Sequence, residues 1–131
     1  MSAEGHWDRH SSKTVNNHRQ IYGADIVELA ERYGTPLFIL FEDIIAENYG
    51  RYKRALEQEY GHHLVCYAVK ANTAYDVVKL LAALGAGADV ASEYEMQAAL
   101  DAGIPPEKIR ANGNCKSERY LEECIRRGII I

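Results

Sequence analysis

Two periodicities alternate along the 131 residues of the chain, that of amphipathic helices and that of short buried strands. Residues 1–20 show neither. They are polar, with Ser, Asn and His, and are expected to form a mobile tail. From Ile21 the pattern turns helical: Ile26, Leu29, Ala30 and Tyr33 recur at helix spacing, Asp25 is placed to cap the start and Gly34 to close the end. Thr35-Pro36 blocks continuation. Leu37-Phe38-Ile39-Leu40-Phe41 reads as an entry strand, so that residues 21–41 form an entry helix and strand. A longer helix is predicted over residues 42–60, with Ile45, Tyr49, Tyr52 and Leu56 on one face, weakened but not broken by Gly50.

A repeating unit follows. The apolar run Leu64–Val69 has the pattern of a strand buried on both faces. It leads to a helix opened by Thr73, with Val77, Leu80, Leu81 and Leu84 on one side. Ala88–Ala91 is a second short strand, and Ser92 opens a helix with Met96, Ala99 and Leu100 inward and Gly103 at its end. After Pro105-Pro106, the strand Ile109–Ala111 passes through Asn112-Gly113-Asn114-Cys115-Lys116 into a helix opened by Ser117. Leu121, Cys124 and Ile125 are expected to face inward there, Gly128 to end the helix, and Ile129-Ile130-Ile131 to begin a fourth strand. Strand and helix alternating in this way predict an α/β fold with a parallel sheet and right-handed crossovers. A β/α barrel takes about 200–250 residues. Three strand–helix units and the start of a fourth strand therefore predict the truncated N-terminal part of a larger protein, with residues 42–131 as its barrel portion.

Composition narrows the function classes. A formal net charge of −4 argues against nucleic acid, which attracts clustered Lys and Arg. No apolar run approaches the roughly 18 residues of a membrane span, and the N-terminus lacks the apolar core of an export signal. Cys66, Cys115 and Cys124 have no zinc-like spacing and read as reduced thiols of a cytoplasmic protein. The five histidines form no ligand motif, so no metal is expected. Neither Gly85-Ala86-Gly87 nor Asn112-Gly113-Asn114 makes a dinucleotide or phosphate loop.

The polar residues that remain gather where parallel strands end. Lys70 and Asn72 close the first strand of the repeat, Asp89 lies within the second with Ser92 after it, and Asn112, Asn114, Cys115 and Lys116 follow the third. Parallel strands put these positions at one end of the sheet, the end at which barrel enzymes build their sites. A lysine ending a buried strand carries its amine into a pocket while its stem stays packed. Apolar surroundings there disfavour the charged form and make the amine a usable nucleophile, the chemistry of a Schiff-base lysine. Each residue also has a plainer account. Lys70 is a solvated strand end, Ser92 with Glu95 a capping box and Thr73 with Asp76 a variant of one. Asn112 and Asn114 hydrogen-bond a turn, Cys115 fills core and Lys116 is solvated. Asp89 resists such an account, because a carboxylate in an apolar strand needs a partner.

Several motifs, in order, carry a resemblance. Tyr67-Ala68-Val69-Lys70-Ala71-Asn72, Gly87-Ala88-Asp89-Val90-Ala91-Ser92, the segment Ala102 to Ile109, Asn112-Gly113-Asn114-Cys115-Lys116-Ser117 and the entry segment Tyr33 to Phe38 resemble the fold-type III pyridoxal-phosphate decarboxylases, most closely the members acting on diaminopimelate. The resemblance covers Ile21 to Ile131. It implies part of a (β/α)8 TIM barrel of the alanine racemase-like type, cut after the start of its fourth strand. It implies that Lys70 is the catalytic lysine carrying pyridoxal 5'-phosphate and that Asp89 lines the pocket. The segment containing Asn112 then approaches the cofactor, although many relatives have His at that position. The expected reaction is decarboxylation of an amino acid, with meso-diaminopimelate giving L-lysine and CO2, in a full-length protein that is a homodimer. Ornithine- or arginine-type decarboxylases, an alanine racemase-like enzyme and a non-catalytic cofactor-binding homologue stay open. The family's phosphate loop, the acidic partner of the pyridine nitrogen and the cysteine-containing motif would lie beyond Ile131, so the piece alone is expected to be inactive.

Overall fold

The computed structural model describes residues 12–15 and 18–131. The chain divides into two compact units, Met1–Phe41 and Glu42–Ile131.

In the first unit, β1 (Ser12–Val15), β2 (His18–Ile21) and β3 (Ala24–Asp25) form an antiparallel sheet in that order. The segment read as a tail therefore contains strand from Ser12 onward, and its other residues lie outside the described ones. Polar side chains do not prevent such a ladder, because backbone groups make it. Helix α1 (Ile26–Tyr33) starts where Asp25 accepts hydrogen bonds from the Val27 and Glu28 N–H groups, each 3.0 Å long. It ends at Gly34 with φ of 82°. The entry strand expected at Leu37–Phe41 does not form. No described strand pairs with it, so although Ile39 and Phe41 are half-buried and Phe41 packs on Tyr22, its apolar pattern has no ladder to join, and Phe38 is 95% exposed.

The second unit carries the repeat. Helix α2 (Glu42–Glu59) is followed by β4 (Cys66–Ala68), β5 (Gly87–Val90) and β6 (Ile109–Ala111), which form a parallel sheet in sequence order. Between them run α3 (Tyr75–Ala83) and α4 (Glu93–Asp101), and α5 (Glu118–Arg127) follows β6. Ile130 makes a parallel bridge to Arg110, and its carbonyl accepts the Ala111 N–H at 2.7 Å, so the chain returns to the sheet beside β6.

Strand alternation decides the two faces. Val69, Ala88, Val90, Ile109 and Ala111 are buried and pack with Val78, Met96, Ala99, Tyr120 and Cys124 of the helices. Cys66, Asp89 and Arg110, at alternate positions, are only half-buried. Gly87 is required by a close approach: a Cβ there would overlap the Lys108 carbonyl oxygen and lie 2.9 Å from Cys66 Sγ. Helix α5 buries Cys124 as expected and half-buries Leu121, but Tyr120 takes the inward place expected for Ile125. Tyr120 and Cys124 are buried, whereas Ile125 is 71% exposed. Tyr120 and Cys124 are four apart and form one stripe, and Ile125 lies one residue round from it.

Candidate functional site

The first strand of the repeat is shorter than its apolar run. Leu64 and Val65 precede the strand, although the Val65 carbonyl accepts the Gly87 N–H at 2.9 Å, and after Ala68 the backbone tightens into a single 3-10 turn, Val69–Ala71. Val69 is fully buried in the core, which drives the turn inward, and Lys70 beside it is exposed. Lys70 is thus on a turn beyond the strand end rather than sunk in an apolar pocket, and it has no hydrogen-bond or ion-pair partner among the described residues. Its exposure removes the packed stem on which the sequence argument for an activated amine rested.

Asn72 closes the turn. Its Oδ1 accepts the Ala74 N–H at 2.9 Å and its carbonyl accepts the Tyr67 hydroxyl at 3.1 Å. Helix α3 has Ala74 at its N-cap with no side-chain cap, so the box expected from Thr73 and Asp76 is replaced by this Asn72 turn. The Asx geometry, a side-chain oxygen bonding the backbone two residues on, does the same work for the chain reversal.

Across the sheet, Ala68 is in register with Asp89, and Asp89 with Arg110. Asp89 projects from the face opposite the helices, between buried Ala88 and Val90 in sequence. It is half-buried and has no hydrogen-bond or ion-pair partner among the described residues. Cys66 shares that face. Burial pushes its thiol pKa up, with Arg110 opposing and Asp89 reinforcing the shift. The Arg110 guanidinium donates to the Glu107 and Ile109 carbonyls, at 2.8 and 3.0 Å.

The next two strand ends are held by their own turns. Ser92 Oγ accepts the Glu95 N–H at 3.2 Å, and Glu95 Oε2 accepts the Ala91 N–H at 2.9 Å. This is the expected capping box, with its return bond shifted one residue toward the strand. The Asn112 N–H donates to the Val90 carbonyl at 2.8 Å, while Asn112 Oδ1 accepts the Gly113 N–H at 2.8 Å. The Asn112 side chain is therefore engaged in its own turn, whose Gly113 has φ of 93°. Lys116 Nζ donates to the Gly113 carbonyl, and Cys115 is exposed with a free thiol. Lys70, Ser92 and Asn112 stand at the same end of three neighbouring parallel strands, with Asp89 one step inside.

Two tyrosines matter here that the periodicity did not single out. Tyr67 ties the lysine turn, as above. Tyr120 is buried and donates its hydroxyl to the Val90 carbonyl at 3.2 Å. Burial, reinforced by the Cys124 thiol and the Glu95 carboxyl, pushes its phenol up to about 12. The signal available in the sequence was the residue type, since a tyrosine at a core position brings a hydroxyl that needs a partner. A separate apolar groove runs along β4 between α2 and α3, lined by Ile45, Tyr49, Tyr52, Val65, Tyr67 and Leu81 among others, and Lys70, Asp89 and Asn112 do not line it.

A partner-free primary amine at the strand ends, with a carboxylate one step inside on the adjacent strand, suits a cofactor that bonds to lysine through an aldehyde. The comparisons agree with that chemistry. Residues 43–131 match the family described as pyridoxal-dependent decarboxylase, pyridoxal binding domain. The diaminopimelate decarboxylase of Methanocaldococcus jannaschii is 46% identical over 105 residues, 77% of this chain and 24% of that protein. The crystal structure of the M. jannaschii diaminopimelate decarboxylase in complex with L-lysine superposes with a TM-score of 0.83 at 38% identity, covering 90% of this chain and 28% of that one. A lysine decarboxylase from Selenomonas ruminantium gives 0.71 at 30% identity, over 80% and 26%. The chain spans about a quarter of the length of these relatives. With its parallel α/β sheet and the match over residues 43–131, the chain belongs to the pyridoxal-dependent decarboxylase family, in whose pyridoxal-binding domain those residues lie.

Proposed function

We propose that the protein carrying this chain decarboxylates meso-diaminopimelate to L-lysine and CO2, with Lys70 as the lysine that holds pyridoxal 5'-phosphate. The observation that carries the reading is the amine of Lys70 just past the C-terminal end of β4, with the Asp89 carboxylate on β5 in register with Ala68, two residues before Lys70, inside a segment that matches a pyridoxal-binding domain. Most similar among the relatives above is a diaminopimelate decarboxylase, and a solved structure of that enzyme contains L-lysine, which would be the product here.

On this reading the chain's residues divide the work. When bound, the cofactor ring accepts the electron pair left by loss of CO2. Lys70 Nζ would hold the cofactor through its aldehyde carbon, and would give up that place to the substrate amine. From its place at the strand ends Lys70 Nζ would also be able to carry a proton. Asp89 keeps a carboxylate beside that region from the adjacent strand. Asn112 shapes the third strand end through its turn, and with Oδ1 held by the Gly113 N–H its Nδ2 amide is the group that would meet the cofactor.

The architecture that goes with this reading is a (β/α)8 barrel of the alanine racemase-like type, in which β4, β5, β6 and the strand begun at Ile130 are the first four. The working form is a cytoplasmic homodimer, and the 131 residues alone do not turn over substrate. Borohydride reduction of the full-length holo-protein, followed by peptide mass mapping, tests the cofactor site: the pyridoxyl group is expected on the peptide containing Lys70, and its recovery on any other lysine overturns the assignment. CO2 release measured with meso-diaminopimelate, ornithine, arginine and lysine tests the substrate. Turnover of ornithine or arginine in preference to meso-diaminopimelate overturns that part.

A further inference from the structure

No hydrogen bond or ion pair among the described residues aims the Lys70 side chain, so its direction is inherited from the backbone of its turn. That turn is one 3-10 turn with no side-chain bond at its N-cap, a length at which helical hydrogen bonding alone holds little. Val69 anchors its start by burial. Its end is anchored at Asn72, and the long-reaching tie there is the Tyr67 hydroxyl on the Asn72 carbonyl, 3.1 Å away. The Tyr67 ring packs against both core clusters of the unit, so the oxygen is presented from a held ring. Burial raises the phenol's pKa, and the oxygen keeps the proton it donates. A phenylalanine ring would fill the same space. The hydroxyl adds nothing to that packing; it adds a bond spanning the lysine, from Tyr67, three residues before Lys70, to Asn72, two residues past it.

We propose that Tyr67 is a positioning residue for Lys70, its hydroxyl fixing through the Asn72 carbonyl the turn from which the lysine reaches its cofactor. The inference rests on the reading of Lys70 as the cofactor lysine. Without the bond, Asn72 is released from the strand, the 3-10 turn samples other conformations, and only the fraction with the amine correctly placed is competent to hold the cofactor.

The test compares wild type, Tyr67→Phe and Tyr120→Phe in the full-length protein. Tyr120→Phe removes the same kind of bond, a tyrosine hydroxyl to a backbone carbonyl in the same core, at a place that does not touch the lysine turn. Pyridoxal 5'-phosphate is titrated into each apo-protein, and the visible absorption of the lysine-linked cofactor is followed against concentration and pH. Thermal midpoints are recorded alongside. Tyr67→Phe is expected to bind about two- to tenfold more weakly and to shift the pH midpoint of the absorption. Tyr120→Phe is expected to lose comparable stability and leave both readouts at their wild-type values. Equal cofactor affinity and pH midpoint in Tyr67→Phe and wild type overturn the proposal, as does an equal change in both variants. Failure of the underlying reading shows separately, in the wild type, as borohydride trapping on a lysine other than Lys70.

Discussion

The buried hydroxyl of Tyr120 lies 3.2 Å from the carbonyl of Val90, which also accepts the Asn112 N–H at 2.8 Å. One carbonyl at the end of β5 thus fastens α5 and the turn after β6 to the strand that carries Asp89. Removing the hydroxyl leaves Val90 with its second donor, so no buried acceptor is orphaned. Tyr120→Phe is expected to cost about 1 kcal/mol and Tyr120→Ala about 3–5 kcal/mol, read from denaturant unfolding.

The same hydroxyl predicts an alkaline limb. Its folded pKa is raised from the usual 10.0 to about 12 by burial. The folded protein therefore holds this proton where the unfolded chain has released it. The stabilisation is whole below pH 10 and is lost as pH rises through about 12. Two pH units correspond to about 3 kcal/mol. Unfolding free energies measured from pH 9 to 12 should fall more steeply for wild type than for Tyr120→Phe, and that difference is the readout.

Lys70→Arg keeps a charge but has no amine able to bond the cofactor aldehyde, and Lys70→Ala removes the group altogether. Both are expected to abolish borohydride-trappable cofactor in the full-length protein. Lys79→Ala and Lys116→Ala should leave it in place, since Lys79 lies over the Tyr75 ring on α3 and Lys116 bonds the Gly113 carbonyl.

Ser92 sits at a strand end facing the site yet works as a cap. Ser92→Ala should cost about 0.5–2 kcal/mol in unfolding measurements, with cofactor affinity unchanged in the titration that reads Tyr67→Phe. A loss of affinity without a loss of stability would instead place Ser92 in the binding site.

Gly87→Ala should destabilise by about 1–3 kcal/mol, the range for overpacking a core. The added methyl meets the Lys108 backbone oxygen, which is fixed by the turn before β6 and cannot swing aside.

Features decided within a few residues were legible in the sequence. Asp25, Ser92 and Ser117 cap the helices they were expected to cap, Gly128 ends α5 in a left-handed conformation, and Ile109–Ala111 forms its strand with the bounds read from the chain. Caps depend on bonds three residues long, and a glycine stop on the cost of a Cβ, so the local residues suffice to determine them. The order of strand and helix, and hence the gathering of Lys70, Asp89 and Asn112 toward one end of a parallel sheet, followed from the same local pattern. What needed tertiary structure depended on distant neighbours. Leu37–Phe41 has strand composition, but a strand exists only where another backbone pairs with it. Ile125 and Tyr120 offered two faces of one helix, and the space beside Val90 and Met96 selected the tyrosine. Leu64–Val69 read as one strand because every residue is apolar. The chain instead leaves the ladder after Ala68, because burying Val69 turns the backbone inward, and that turn, tied by Tyr67, sets where Lys70 stands.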